Sequence, residues 1–202
     1  MEQISQVMQN RKVDILDDMN SYKAAVLLPL IEHQGQLSIL FEVRSETLEG
    51  QPGEICFPGG HMEKQDPTPR DTAIRETAEE LGVKSADITV LGPLDILVQP
   101  SNLIIYPYVG KINPGTHLMP QEDEVAEIFY VPLDYLRQAE PTISYTKMEM
   151  SPLPDFPFHL LPNGKDYDWR QGLYPVYFYI YERYIIWGLT ARILAHFLTL
   201  IP

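Results

Sequence analysis

The sequence predicts an α+β fold, and three observations carry the prediction. Short runs rich in β-branched and aromatic residues recur along the chain, a capped and charged helix interrupts them near residue 70, and an apolar helical segment closes the chain. In order, residues 1–18 mix polar and apolar positions at helical spacing and read as a helix or an N-terminal extension covering 1–20. Residues 22–31 and 37–43 read as paired strands joined by His33-Gln34-Gly35-Gln36. Residues 88–97, 103–112 and 126–131 read as further strands. Residues 132–138 read as a short helix and 186–200 as a longer one, with Gly188 a cost in its interior. At 202 residues and 45% hydrophobic content the chain can bury one sizeable core, and no shift in composition divides it, so a single domain over 1–202 is the economical reading.

The helix near residue 70 is the most informative element. Thr68 suits the N-cap, Pro69 the first helical position and Asp71 the acceptor of a capping box, while Gly82 can turn left-handed and stop the helix. Ala73, Ile74, Thr77, Ala78 and Leu81 recur at helical spacing and form the face that lies on a core. On the other face Glu76, Glu79 and Glu80 stand three and four residues apart, so like charges crowd together. Glu79 and Glu80 also occupy the last turn, where the helix dipole disfavours anions by roughly 0.3 to 1 kcal/mol each. Arg75 is placed to pair with and orient Glu79, and the turn Pro58-Gly59-Gly60 precedes the cluster. A solvated acidic face would need none of this. A hard divalent cation such as Mg²⁺ requires clustered carboxylate oxygens and would offset the repulsion.

The segment from Gly60 to Val83 resembles a Nudix box, in which a glycine and a spaced acidic residue precede Arg-Glu-apolar-any-Glu-Glu-any-Gly-apolar. The second half matches from Arg75 to Val83, with Thr77 at an apolar position. In the first half there is one extra residue before Arg75, and Asp66 stands in place of a glutamate. Upstream, Arg44-Ser45, Gly53 and Phe57-Pro58-Gly59-Gly60 are similar to the signature preceding the box in coenzyme A pyrophosphatases, a group in which the inserted residue is usual. The likeness extends over roughly residues 22–200.

This resemblance implies an α/β/α sandwich with a mixed central sheet and a catalytic strand-loop-helix. It further implies that Glu76, Glu79 and Glu80, with a backbone carbonyl near Gly60, hold two or more Mg²⁺ or Mn²⁺ ions against a substrate diphosphate, which water then attacks in line at phosphorus. Arg75 would orient Glu79, and Arg44, Gly59 and Gly60 would contact substrate. The general base would be one of these glutamates or Glu124, which follows the acidic run Glu122-Asp123. Glu127 reads as a strand residue. Dimers are common in the group, so a homodimer is among the implied assemblies.

Two departures bear on substrate: Glu49 replaces a basic residue of the coenzyme A signature, and Glu42 replaces a small polar one. Glu49 is either a change in specificity or an exposed loop residue. The expected substrate is a small nucleoside diphosphate derivative, coenzyme A or an acyl-coenzyme A first, with ADP-ribose, a dinucleotide or a nucleoside triphosphate as alternatives. Intact Glu76, Glu79, Glu80 and Arg75 argue against a non-catalytic ligand sensor. Residues 141–174, with Pro152, Pro154, Pro157, Pro162 and Trp169, read as an ordered insertion loop. Such a loop either covers the site or pads the fold or a dimer interface.

A net charge of −13 excludes a nucleic-acid partner and makes bound cations necessary for an anionic substrate. The lone Cys56, the lack of a leader pattern and the lack of a membrane-length apolar run point to the cytoplasm and away from membranes. Cys56 reads as a packed small hydrophobe rather than a nucleophile, and His61 as a residue at the rim of the site.

Overall fold

The structure, a computed structural model, describes residues 2–11, 15–16 and 21–202. The N-terminal helix α1 covers Glu2–Gln9. The rest of the expected extension, at 12–14 and 17–20, lies outside the described residues. The hairpin predicted from the sequence is formed by β1 (Tyr22–His33) and β2 (Gln36–Arg44), with Gln34 and Gly35 at its tip.

These two strands pair only near the hairpin, from Leu30↔Ile39 to His33↔Gln36, and then splay apart. The gap is filled by β3 (Ile55–Cys56), which pairs with the end of β2, and by β4 (Gly59–His61), which pairs with the start of β1. The Leu27 amide donates to the Pro58 carbonyl at 2.9 Å and stitches the crossing between them. The turn of Pro58, Gly59 and Gly60 is thereby held in the split of the sheet rather than at its edge.

Helix α2 (Pro69–Glu80) follows, then β5 (Ile88–Pro93), β6 (Leu97–Gln99), β7 (Leu103–Ile112) and β8 (Val125–Pro132). β7 lies parallel to β1 over its whole length, while β5 and β6 pair antiparallel with β7 and β8 pairs antiparallel with β2. The sheet is therefore mixed, as expected. The single strand expected over 88–97 is two strands. A bulge between Val90 and Gly92, then Pro93 without an amide donor, turns the chain before it rejoins β7 as β6.

The short helix α3 (Leu133–Gln138) leads into β9 (Thr142–Met148), β10 (Gly172–Tyr181) and β11 (Tyr184–Trp187), which form a second, antiparallel sheet. The expected loop over 141–174 is thus bounded by strands, with 149–171 irregular between them and two short 3-10 turns at Phe158–Leu160 and Gly164–Asp166. The final helix α4 spans Gly188–Leu200, and 186–187 belong to β11. Gly188 is not interior. It opens the helix at φ +64°, a junction that a side chain would strain.

Both faces of β1 are buried. Ala25 and Leu27 pack with Ala73 under α2, and Leu40 packs with Leu81 at the end of that helix. On the opposite face Leu28, Ile39, Phe41 and Phe129 share a core with Tyr179 and Ile186 of the second sheet and with Ala191, Leu194 and Phe197 of α4. The outer layer on that side is α4 together with a small sheet, which adds to the sandwich the resemblance implied.

Candidate active site

Helix α2 begins as its sequence requires. The Thr68 hydroxyl accepts from the Asp71 amide at 3.3 Å and donates to the Asp71 carboxylate at 2.6 Å. Gly82, at φ +62°, ends the helix. The last carbonyls of this end are used by the following loop: the Met119 amide donates to Leu81 O at 2.8 Å and the Gln121 amide to Glu80 O at 2.9 Å. This attachment carries the loop across the acidic end of the helix and places Glu124, just ahead of β8, within electrostatic reach of Glu76 and Glu80.

The glycine turn meets the helix from the other side. The Gly59 amide donates to Glu80 Oε2 at 2.7 Å. A Cβ on Gly59, whose φ is +154°, would lie 2.4 Å from the Ala25 carbonyl and 2.6 Å from Val26 Cα, both in the β1 backbone. A Cβ on Gly60 would lie 2.5 Å from the Glu76 carboxyl carbon. These glycines let the turn press directly against the helix carboxylates.

Arg75 does more than orient Glu79. Its Nη1 bonds Glu79 at 3.1 Å, its Nη2 bonds Glu76 at 2.9 Å and the His61 carbonyl at 3.3 Å, and it grips Asp66 through Nε at 3.0 Å and Nη2 at 2.8 Å. Asp66, only 5% exposed, also accepts from the Glu63 amide and the Thr72 hydroxyl. The guanidinium holds the Asp66 carboxyl well below the usual carboxylate range. The shorter acid at this place therefore anchors the arginine. Asp66→Ala should lower kcat by about tenfold through loss of that support. It should also cost a few degrees of Tm, read by steady-state kinetics and thermal melting.

Burial and mutual repulsion act on the cluster together. Glu80 is 6% exposed, and burial first, then repulsion by Glu76 and Glu124, push its pKa up to about 8 against the opposing Gly59 hydrogen bond. Burial likewise raises Glu76, against the pull of Arg75. The stability consequence has a definite sign. Unfolded Glu80 titrates near 4.5 and folded Glu80 near 8, so its contribution is complete below 4.5 and is lost as pH rises through 8. In EDTA the Tm should fall across this window. Mg²⁺ should restore it at the alkaline end, and Glu80→Gln should flatten the slope.

Among the described residues, no three His, Cys, Asp or Glu side chains are set in a finished cage for one ion. Glu79, with 54% of its side chain exposed, is drawn to the surface by Arg75, and Glu80 is tied to Gly59. The donor set nevertheless fits a hard cation: oxygen donors only, crowded and repelling one another, at a turn whose glycines leave no intervening side chain.

Beside the turn opens a cavity of about 430 Å³ lined by Arg44, Cys56, Gly59, Gln99, Tyr174 and Trp187, among others. Arg44 is steadied by its Nε bond to the Gly50 carbonyl at 3.1 Å, and Glu49 is exposed in the same loop. The 141–174 stretch supplies Thr146 and Tyr174 to the wall, and the Tyr174 hydroxyl bonds Gln99 at 2.8 Å. Burial pushes the Cys56 thiol far up, away from nucleophilic use. His61 is exposed, edge-on to Tyr22. Glu127 accepts from the Tyr184 hydroxyl at 2.6 Å and pairs with Arg183, a surface link rather than part of the cluster.

Of the residues expected to contact substrate, Arg44 and Gly59 line the cavity, while Gln99 and Trp187 of its wall and the place of Glu42 in the cluster are not assigned from the sequence. Glu42 is 1% exposed on β2, and burial first, then repulsion by Glu80 and Glu124, raise its pKa well above the ordinary value against the pull of Arg44. A signal existed, because Glu42 is the one charge within the apolar run Ile39-Leu40-Phe41-Glu42-Val43.

Residues 21–150 match the NUDIX domain family. The chain is 36% identical over 152 residues to the peroxisomal coenzyme A diphosphatase NUDT7 of Mus musculus, covering 74% of this chain and 64% of that protein, just under two thirds of its length. It is 35% identical over 176 residues to an uncharacterized Nudix hydrolase NudL of Photorhabdus laumondii, covering 87% of this chain and 82% of the relative. Among solved structures, a C. elegans Ap4A hydrolase binary complex aligns with a TM-score of 0.47 at 19% identity, over 55% of this chain and 80% of that one.

Proposed function

The chain belongs to the NUDIX domain family, and from that premise we propose that it is a divalent-cation-dependent pyrophosphohydrolase. Its proposed substrate is a nucleoside diphosphate derivative, cleaved at the diphosphate linkage, with coenzyme A or an acyl-coenzyme A first among the candidates. The observation that carries this reading is the carboxylate cluster of α2, organised by Arg75 and pressed against a glycine turn that also lines a cavity. The relative named as a coenzyme A diphosphatase supports the choice of substrate.

In this reading Glu76, Glu79 and Glu80, with the Gly60 carbonyl, hold Mg²⁺ or Mn²⁺. When bound, the cation polarises phosphoryl oxygens and makes water more acidic. Arg75 keeps Glu76 and Glu79 in register, so the site is ordered before substrate arrives. Gly59 and Gly60 let the diphosphate approach the backbone closely, and Arg44 pairs with a phosphate at the cavity mouth. Glu124, half-buried and close to Glu76 and Glu80, accepts the proton from the water that attacks phosphorus in line. The aromatic side of the cavity, Tyr174 and Trp187, receives the remote portion of the substrate.

Among the described residues no helix is long and apolar enough to cross a membrane. A lone thiol beside the site suits a reducing compartment, which favours a cytoplasmic setting. The test is chromatographic quantitation of the two phosphomonoester products, with Mg²⁺ or Mn²⁺, over coenzyme A, acyl-coenzyme A, ADP-ribose, NADH and nucleoside triphosphates. Coenzyme A or the acyl-coenzyme A should be cleaved well above the rest. Preference for a substrate without a 3′-phosphate would move the assignment to the ADP-ribose or dinucleotide alternative, and no cation-dependent cleavage of any of them would overturn the hydrolase reading.

A further inference from the structure

Glu42 stands apart from the other acids because, among the described residues, one of its carboxylate oxygens is buried with no hydrogen-bond partner. The residue is 1% exposed, and the unpartnered atom is Oε1. Its position follows from strand geometry. Leu40, two residues earlier and on the same face of β2, packs on Leu81 at the end of α2. Glu42 is therefore turned to the same side of the sheet, toward the end of the helix that carries Glu80. Across the ladder it lies opposite Cys56, three residues before Gly59, and on its other edge opposite Ile128.

The charges that face it are mostly of its own sign. Glu80 comes from α2, Glu124 from the loop ahead of β8, and Arg44 from its own strand, with the Arg44 Nε engaged by the Gly50 carbonyl. A buried carboxylate oxygen without a partner is costly, by roughly 1 to 3 kcal/mol for a polar group and more for a charged one. A structural role alone would favour an amide or an aliphatic residue at this place.

We infer that Glu42 is an additional ligand of the cation site, a fourth carboxylate that reaches a divalent ion from the sheet, while α2 supplies the other three. This rests on the cation-dependent reading of the site. A cation between Glu42 and Glu80 would satisfy the orphaned oxygen and offset the repulsion in one step. The small polar residue usual at this place in the resembling signature has no carboxylate to offer, so the departure at Glu42 concerns the metal rather than the substrate.

Mn²⁺ alone is the probe. Free Mn²⁺ is measured by EPR during titration of the wild-type protein, Glu42→Gln and Glu80→Gln, and Tm is recorded with and without Mn²⁺. Glu42→Gln should weaken Mn²⁺ binding about tenfold or more and shrink the Mn²⁺-induced rise in Tm. Its Tm in EDTA should equal or exceed that of the wild type, because a buried charge has been removed. Glu42→Thr, the smaller replacement, should show the same loss if the glutamine packs poorly. Wild-type affinity and stoichiometry in both variants would overturn the inference while leaving the site reading intact. A wild-type protein that takes up no Mn²⁺ would overturn that reading and the inference with it.

Discussion

Glu79→Gln is expected to cut turnover by about 10²- to 10⁴-fold, the equivalent of roughly 3 to 5 kcal/mol of lost transition-state stabilisation. The Tm should stay within a few degrees of wild type. The two halves of that expectation have separate causes. The side chain is 54% exposed, and its i,i+4 pair with Arg75 contributes only about 0.5 kcal/mol or less. The amide oxygen can still accept from Arg75, so the helix and its neighbours should not move. What disappears is one formal charge where a cation has to be held against an anionic substrate. Turnover with saturating Mg²⁺ and thermal melting decide the matter, and near-normal kcat would remove Glu79 from the site.

Gly59→Ala should have the largest effect on stability, about 3 kcal/mol or more, which lowers Tm by roughly 6 to 12 °C in a chain of this size. The added Cβ would strike the Ala25 carbonyl and Val26 Cα, and a central strand paired on both edges cannot retreat. Gly60→Ala makes an instructive contrast. There the obstacle is the far end of the Glu76 side chain, which can swing away. Gly60→Ala should therefore fold near the wild-type Tm but lose activity, because Glu76 has been pushed from its place between Gly60 and Arg75. Melting curves and kcat measured on both variants separate a turn that is needed for folding from one that is needed for chemistry.

Local signals were legible in the sequence. The ends of α2 depend on Thr68, Pro69, Asp71 and Gly82, all within one short segment, and the structure places the helix at Pro69–Glu80. The hairpin of β1 and β2, and the strand Leu103–Ile112, follow from runs of β-formers and a turn. Features that depend on distant partners were not legible. The pairing of β9 with β10 joins Thr142 to Phe178 across a proline-rich stretch that, by itself, reads as loop. The division of 88–97 into β5 and β6 depends on how the chain follows β7. In the site, the glutamates of α2 could be grouped by helical spacing. Glu124 could be named from its place after an acidic run, and the structure brings it near Glu76 and Glu80, whereas the place of Glu42 depends on how the sheet meets the helix. Helical spacing pairs Arg75 with one acid, whereas folding brings it three acids and a carbonyl.

The parallel pairing of β1 with β7 has a kinetic consequence. Tyr22 is in register with Leu103 and Leu30 with Lys111, so the central ladder joins residues roughly eighty positions apart. Closing a loop of that length costs chain entropy before any of the ladder forms, and it raises the contact order of the whole fold. Refolding from denaturant is therefore slow relative to a helical protein of the same length. In the native fold Leu103–Ile112 covers one edge of β1, a long apolar strand, so a chain in which that pairing is lost would expose an edge prone to aggregation.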